Sequence, residues 1–573
     1  MVTERRFVRR WSRSLTVLLC CSGAGVVSAA CGFSGTTTDG GTAGTTAATA
    51  GGSSSTAGNS PGTAGVNPGT GGVVTGQAGS VTNTMAGATP TAGAATTAGA
   101  GGGGPMGTNY EYSGTWPKAP MAVATKPGKL TYTKKVIHSQ FLAESCSIAD
   151  YNNDGIPDVS SGPQWYEGTN DPQTAFKTAH AFRNGHDALP RTGNANELFA
   201  GLSDDWADYP VDIDGDGWTD IINVAPPNVY GFNAAPEFQP PGWASWYRNP
   251  GPDLPADPTW TRSLIHADVQ MIQRGFADMN GDGFPELLGA CKTCMPIETK
   301  GYYQADRTHP TEPWTYHPVT GRFPFPFGGS GTLNGIGAGD VNGDGSADFL
   351  ERSGVWLQQT DQAWNATVCT GSDVPTGCGK IAEDITDDVQ DPDGIRGPSH
   401  IYATDMDGDG LTDLVAADSN YDGGLAWYRQ TAGMKFVKYY FMGSAGGLDI
   451  EQWGVGFSEP TAVQVVDMDG DGAPDVITGK MRFALPDGQG IIDPDGAPYV
   501  YVFKNLRGKV DDRTGSPITL EPHKVDGDPD AVPGTTDAGM GVGRQIAVGH
   551  VNTDGIPDIC VASKVGLAVF LGQ

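Results

Sequence analysis

The chain has 573 residues, 65 acidic and 35 basic, for a formal net charge of −30 with only 17% charged residues. Such acidity excludes a nucleic-acid backbone or an anionic lipid surface as a partner reached through a basic patch, and it suits cations. Gly, at 85 residues, is about twice as frequent as usual, which signals a low-complexity tract, many tight turns, or both.

Residues 1–30 read as an export signal. Five arginines from Arg5 to Arg13 precede an apolar stretch, Leu15 to Val27, that is too short to span a bilayer, and small residues Ser28-Ala29-Ala30 follow. Cys31 comes next and resembles the lipidated cysteine of bacterial lipoproteins, although Ser28 stands where a branched aliphatic is usual. The expectation is an exported protein anchored at the outer membrane or cell surface through Cys31, or a secreted one if Cys31 carries no lipid. Membrane contact is expected through that anchor alone.

Residues 31–109 are Gly, Thr, Ala and Ser with a few Pro, and only one acid, Asp39. Such a tract cannot bury enough apolar area to offset its chain entropy, so a disordered linker is expected. Its end-to-end reach is on the order of 50 Å. Residues 110–127 form a lead-in, and the folded domain is expected over 128–573.

In an exported chain the six cysteines beyond Cys31 are expected to form disulfides. Cys291 with Cys294, and Cys369 with Cys378, are local candidates, while Cys146 and Cys560 remain, their pairing open.

One pattern recurs seven times, at intervals of 62, 66, 62, 65, 62 and 83 residues. It places oxygen-bearing side chains at positions 1, 3, 5 and 9 and Gly at 6. The first four copies are Asp150, Asn152, Asp154, Asp158; Asp212, Asp214, Asp216, Asp220; Asp278, Asn280, Asp282, Glu286; and Asp340, Asn342, Asp344, Asp348. The fifth and sixth are Asp405, Asp407, Asp409, Asp413 and Asp467, Asp469, Asp471, Asp475. The last has His550 at position 1, followed by Asn552, Asp554 and Asp558. Calcium takes six to eight oxygens in a flexible shell, and a loop with donors at 1, 3 and 5 and Gly at 6 can curl around one ion. Up to seven calcium ions are therefore expected. The loops are not EF-hands, because position 12 is Glu only once, at Glu351, and a short apolar run rather than an amphipathic helix follows.

Each loop lies between two short apolar runs, so the unit is strand, loop, strand. A third strand carries aromatics, as at Trp165-Tyr166, Trp246-Tyr247 and Trp427-Tyr428, and a fourth often follows. Four strands per unit and no helical periodicity predict an all-β, seven-bladed β-propeller. The last unit ends one strand short at Gln573, and Leu130 to His138 is expected to supply the missing strand and close the ring.

On these loops and spacings, residues 128–573 resemble the FG-GAP/VCBS repeat propellers, known from integrin α heads and bacterial surface proteins. The resemblance implies the propeller and calcium, and it spans adhesins, lectin-like modules and some enzymes. The Trp-Tyr strands are more weakly similar to the propeller part of the aldos-2-ulose dehydratases, which are sugar lyases.

Strand alternation puts the variable loops on the face opposite the acidic loops. Ligand candidates entering the inner strands on that face are Glu144, Asp208, Arg274, Asn334, His400 and Arg544, with Trp453 in a nearby loop. A solvated polar channel would use the same residues. No catalytic residue is assigned, and no nucleophile or phosphate-loop motif is present. The favoured function is a binding or adhesion module for carbohydrate or a surface polymer, and the alternative is a sugar lyase acting in the axial pocket.

Overall fold

The computed structural model describes residues 126–183, 203–225, 243–254, 260–267, 269, 275–291, 299–319, 335–351, 354–358, 400–417, 423–444, 454–482, 497–531, 535–552 and 554–573. The chain divides into two units, Met1–Gly93 and Ala94–Gln573, and every described residue belongs to the second. The export signal, the linker and Cys31 lie outside the described residues, as do Arg274, Asn334, Trp453, Cys294, Cys369 and Cys378.

Seven antiparallel sheets follow one another along the second unit, and the protein is an all-β propeller. Blade 1 holds β2 (Ser147–Ala149), β3 (Asp158–Ser161), β4 (Gln164–Tyr166) and β5 (Ala179–Ala181). Blade 2 holds β6 (Ala207–Val211), β7 (Asp220–Ala225), β8 (Trp243–Arg248) and β9 (Thr261–His266). Blade 3 holds β10 (Phe276–Ala277), β11 (Glu286–Cys291), β12 (Thr299–Gln304) and β13 (Thr315–Pro318). The fourth sheet has three strands, β14 (Ile336–Gly339), β15 (Asp348–Glu351) and β16 (Gly354–Trp356). Blade 5 holds β17 (Ile401–Thr404), β18 (Asp413–Ala417), β19 (Gly423–Thr431) and β20 (Lys435–Ser444). Blade 6 holds β21 (Val463–Val466), β22 (Asp475–Gly479), β23 (Val500–Leu506) and β24 (Thr519–Asp526). The last sheet joins β25 (Ile546–Gly549), β26 (Asp558–Ser563) and β27 (Gly566–Gly572) to β1 (Tyr132–His138) from the start of the domain.

The expectation of seven four-stranded blades is thus corrected, among the described residues, to six complete blades and one three-stranded sheet. The segment after Gln358, where a fourth strand of that sheet would fall, runs to residue 399 outside the described residues. Ring closure follows the expected route: Tyr132 pairs with Gly572 and Lys134 with Phe570 in antiparallel register. A Cys146–Cys560 disulfide, with Cα atoms 6.4 Å apart, ties the entry of β2 to β26 and resolves a pairing that the spacing left open. Cys291 is also disulfide-bonded.

Alternation within the strands builds the core between sheets. Ile222, Val224, Trp246, Phe276, Leu287, Tyr303 and Phe349 belong to one buried cluster running across blades 2 to 4. Trp427, Val465, Val476 and Phe503 join blades 5 and 6 in the same way. Because both faces of each sheet are covered by neighbours, strands β3, β7 and β26 are buried along their whole length. Among the described residues no helix is long and apolar enough to cross a membrane.

Candidate functional site

The acidic loops connect the first and second strands of every sheet, at one end of the ring. Their shape is set by position 6, where Gly155, Gly217, Gly283, Gly345, Gly410, Gly472 and Gly555 all have φ between +80° and +90°. A side chain there would be strained, so Gly at this place is a backbone requirement. In the first six loops the position-1 carboxylate faces inward and accepts backbone N–H groups of the loop. Asp212, for example, accepts Gly215 (2.7 Å), Asp216 (3.1 Å) and Gly217 (2.8 Å).

Position 9, expected to close a metal site, has a second task that sequence reasoning missed. It begins the second strand, and one of its oxygens accepts the N–H of position 2. The pairs are Tyr151 with Asp158, Ile213 with Asp220, Met279 with Glu286, Val341 with Asp348, Met406 with Asp413, Met468 with Asp475 and Val551 with Asp558. Among the described residues the other oxygen accepts a backbone N–H at or just beyond the end of the third strand in six units, from Gly168, Asn249, Gln358, Gln430, Asn505 and Gly572. Burial pushes these acids upward, Asp158 to about 8, Glu286 to about 9, and Asp348, Asp413, Asp475 and Asp558 to about 7. A cation in the loop would offset that cost of ionising them.

In three loops the carboxylates converge: one oxygen from each of Asp212, Asp214 and Asp220 lies within 4.8 Å of the others, and the same holds for Asp405, Asp407, Asp413 and for Asp467, Asp469, Asp475. These three clusters could hold a metal ion. The donors are all hard oxygens, as calcium prefers. Asp469 also fits this use, since it is 6% exposed and its Oδ1 is buried with no hydrogen-bond partner. An orphaned carboxylate oxygen is costly unless a cation or donor meets it. The seventh loop differs. His550 Nδ1 lies 3.1 Å from the carbonyl of Ile556, the position-7 oxygen expected to face an ion.

At the opposite end of the inner strands the structure brings Glu144, Asp208 and Arg544 into one buried group. Glu144 N–H donates to the Asp205 carbonyl (3.0 Å), and Arg544 N–H donates to the Glu144 carbonyl (2.6 Å). The neighbouring inner strands thus enter side by side. Gln545 clasps the backbone of Asp208, accepting its N–H and donating to its carbonyl, each at 2.9 Å. Asp208 also accepts Asn223 Nδ2 (3.0 Å). Sequence reasoning missed Arg183, Asp204, Asp205 and Trp206. Arg183 Nη1 donates to Asp204 (2.7 Å) and Nη2 lies 3.5 Å from Asp205. Ser145 Oγ donates to Asp205, and the Arg544 guanidinium stacks over Trp206 at 4.7 Å. The adjacent Asp204-Asp205 pair just before an inner strand was the available signal.

Electrostatically this group is short of cations. Burial, then the neighbouring Asp208, raise the Asp205 carboxyl well above the usual range, and burial lifts Asp208 to about 6. Neither oxygen of the fully buried Glu144 carboxylate has a hydrogen-bond partner among the described residues, and the nearest cation is Lys564 Nζ at 3.7 Å. Arg544 Nε and Nη1 are likewise buried without a partner. His400 is held elsewhere: its Nδ1 lies 2.9 Å from the Val463 carbonyl, which fixes the imidazole between blades 5 and 6.

A family profile described as an FG-GAP-like repeat matches residues 405–478, the segment from the fifth acidic loop through β22. This stretch contains an FG-GAP-like repeat. No curated protein matches the chain. Solved structures similar to it include rhamnogalacturonan lyase YesW, at 12% identity and TM-score 0.35, covering 78% of this chain and 75% of that one. A Bacillus licheniformis rhamnogalacturonan lyase is similar at 13% identity and TM-score 0.34, with 81% and 76% covered. The exotype rhamnogalacturonan lyase YesX is similar at 12% and 0.34, with 78% and 75% covered. Likeness at this level carries none of their chemistry over to this chain.

Proposed function

We propose that the protein is an exported, calcium-stabilised propeller that binds carbohydrate or a surface polymer, held at the cell surface by a lipid on Cys31 and a flexible tether. The calcium reading is supported above all by the convergence of positions 1, 3 and 9 in loops 2, 5 and 6, with the orphaned Oδ1 of Asp469 among them. Positions 1, 3, 5 and 9 of each loop would hold the ion, and its charge would offset the repulsion among them.

The ligand reading is supported by the group around Glu144. A carboxylate with no hydrogen bond among the described residues, a guanidinium with Nε and Nη1 unbonded and a tryptophan face belong to this group, which are the acceptors, donors and ring surface that sugar hydroxyls and sugar faces use. A glycan array probed with the purified propeller in calcium tests it. Selective binding that E144Q and R544Q both weaken at unchanged melting temperature is expected, and binding indifferent to both substitutions would contradict the site. The anchor is tested in the same preparation, since Cys31→Ser should move the protein from the membrane fraction to the soluble one.

A second reading, a sugar lyase, is favoured by one observation. Two fully buried neighbouring carboxyls, Asp205, raised by burial and by Asp208 well above the usual range, and Asp208, raised by burial to about 6, have the environment of an acid–base pair. Unsaturated sugar products, followed by ultraviolet absorbance, would support it, and their absence across polysaccharides that the array shows to bind would remove it.

A further inference from the structure

Loops 2, 5 and 6 carry Asp at position 3, as Asp214, Asp407 and Asp469, whereas loops 1, 3, 4 and 7 carry Asn. That choice is matched on a different strand. In blades 2, 5 and 6, the residue before the one whose N–H meets position 9 is a cation: Arg248, Arg429 and Lys504. The equivalent residues of the Asn-type units are Glu167, Gln304, Leu357 and Leu571, none of them cationic.

Each cation bridges positions 3 and 5 of its own loop. Arg248 bonds Asp214 through Nε and reaches Asp216 through Nη2 at 3.0 Å. Arg429 bonds Asp407 through Nε at 2.5 Å and Asp409 through Nη2 at 2.8 Å. Lys504 bonds Asp469 and lies 3.2 Å from Asp471. In every case the cation takes Oδ2 of both carboxylates. In loops 1 and 4 the same Oδ2 of position 5 is taken instead by the neutral amide at position 3, Asn152 on Asp154 (3.2 Å) and Asn342 on Asp344 (3.0 Å). Counting positions 1, 3, 5 and 9 with the residue at that place, an Asp-type loop has four carboxylates and one cation and loops 3 and 4 have three carboxylates and a neutral residue, a formal −3 in all five, while loop 1 has three carboxylates with Glu167 at that place, 3.3 Å from His180 Nε2.

We propose that Arg248, Arg429 and Lys504 are built-in counter-charges that set the divalent-cation affinity of their loops, holding an all-aspartate loop at the level of an asparagine one. This rests on the calcium reading above. The cations engage Oδ2 and leave Oδ1, which accepts a loop N–H at Asp214 and Asp407 and at Asp469 is buried with no hydrogen-bond partner, the oxygen best placed to meet an ion. Without an ion, the same bridges keep positions 3 and 5 from repelling each other. The arginines do this as a two-pronged fork and the lysine as a point charge.

The test is a calorimetric calcium titration of the chelator-stripped full chain, with terbium luminescence as a second readout of the loops. R248Q/R429Q/K504Q leaves three loops at −4, and those three sites should tighten about tenfold, as expected for removing one like charge close to the ion. D214N/D407N/D469N keeps the cations and should weaken the same sites by about as much. Combining both sets of changes should return the wild-type isotherm. If the first variant does not fold, the second and the combined variants still decide the matter through their opposite expectations. Unchanged or weaker binding in the first variant, or a combined variant no closer to wild type than D214N/D407N/D469N, would overturn the counter-charge role while leaving calcium binding intact. A wild-type protein that takes up no calcium would overturn both readings together.

Discussion

Asp205 and Asp208 show most sharply what burial does to one side chain here. Both are fully buried, and Arg183 answers to Asp204 and Asp205 before it can serve Asp208. A carboxyl whose value is raised in the folded state binds more protons folded than unfolded over the interval between the two values. For Asp208 this stability is fully present below about pH 4 and is lost as pH rises through about 6. With calcium saturating, so that the acidic loops stay neutralised, stability should fall from pH 4 to 6.5, and Asp205→Asn with Asp208→Asn should flatten that slope. Denaturant melts across that range check it, and an unchanged slope in the double variant would show that other groups carry the dependence. Glu144, Asp208 and Arg544 were legible as a group because they hold equivalent places at the entry of inner strands. Arg183 was not, because it reaches the group from the far end of blade 1 through a side-chain contact that no periodicity encodes.

Among the elements, the acidic loop was the most legible, since a fixed spacing of acids and a positive-φ glycine describe it almost completely. Its connection to the next blade was hidden. The amide residue at or just past the end of the third strand donates backward to the position-2 carbonyl of the preceding blade: Asn249 to Tyr151 (2.8 Å), Gln358 to Met279 (2.6 Å), Gln430 to Val341 (3.0 Å) and Asn505 to Met406 (2.8 Å). The partners are 79 to 99 residues apart and the acceptor is backbone, so the side chain at position 2, a buried apolar residue in each loop, carries no sign of the contact. Blades 1 and 7 have Gly168 and Gly572 at this place and cannot make the contact. There the ring is held by β1 and by Cys146–Cys560, which encloses 414 residues of sequence separation. Replacing both cysteines with Ala should lower stability by about 2–4 kcal/mol, read from denaturant midpoints of oxidised protein. A midpoint matching the wild type would mean that β1 alone secures the closure.

For the whole molecule, repetition made the architecture readable: seven copies at near-constant spacing fix sheet number and strand order better than any single strand could. The fourth sheet is where that reading exceeded the structure, since three of its strands fall among the described residues and the place of a fourth, after Gln358, lies outside them. Charge is the other global property. The chain carries −30, and its densest acid clusters lie in loops that meet at one end of the ring, so self-repulsion opposes compaction wherever no cation answers it. Free calcium at about 100 times its dissociation constant contributes about 2.7 kcal/mol for each site filled, against about 5–15 kcal/mol for the net stability of a typical domain. Loop 7, with His550 turned to its own carbonyl, should contribute least. The most direct measurement is a thermal melt of the protein before and after chelation, with removal of bound metal verified by elemental analysis. The account predicts a fall of many degrees that calcium restores better than magnesium, whose octahedral demand these loops suit poorly; a melt indifferent to verified metal removal would contradict it.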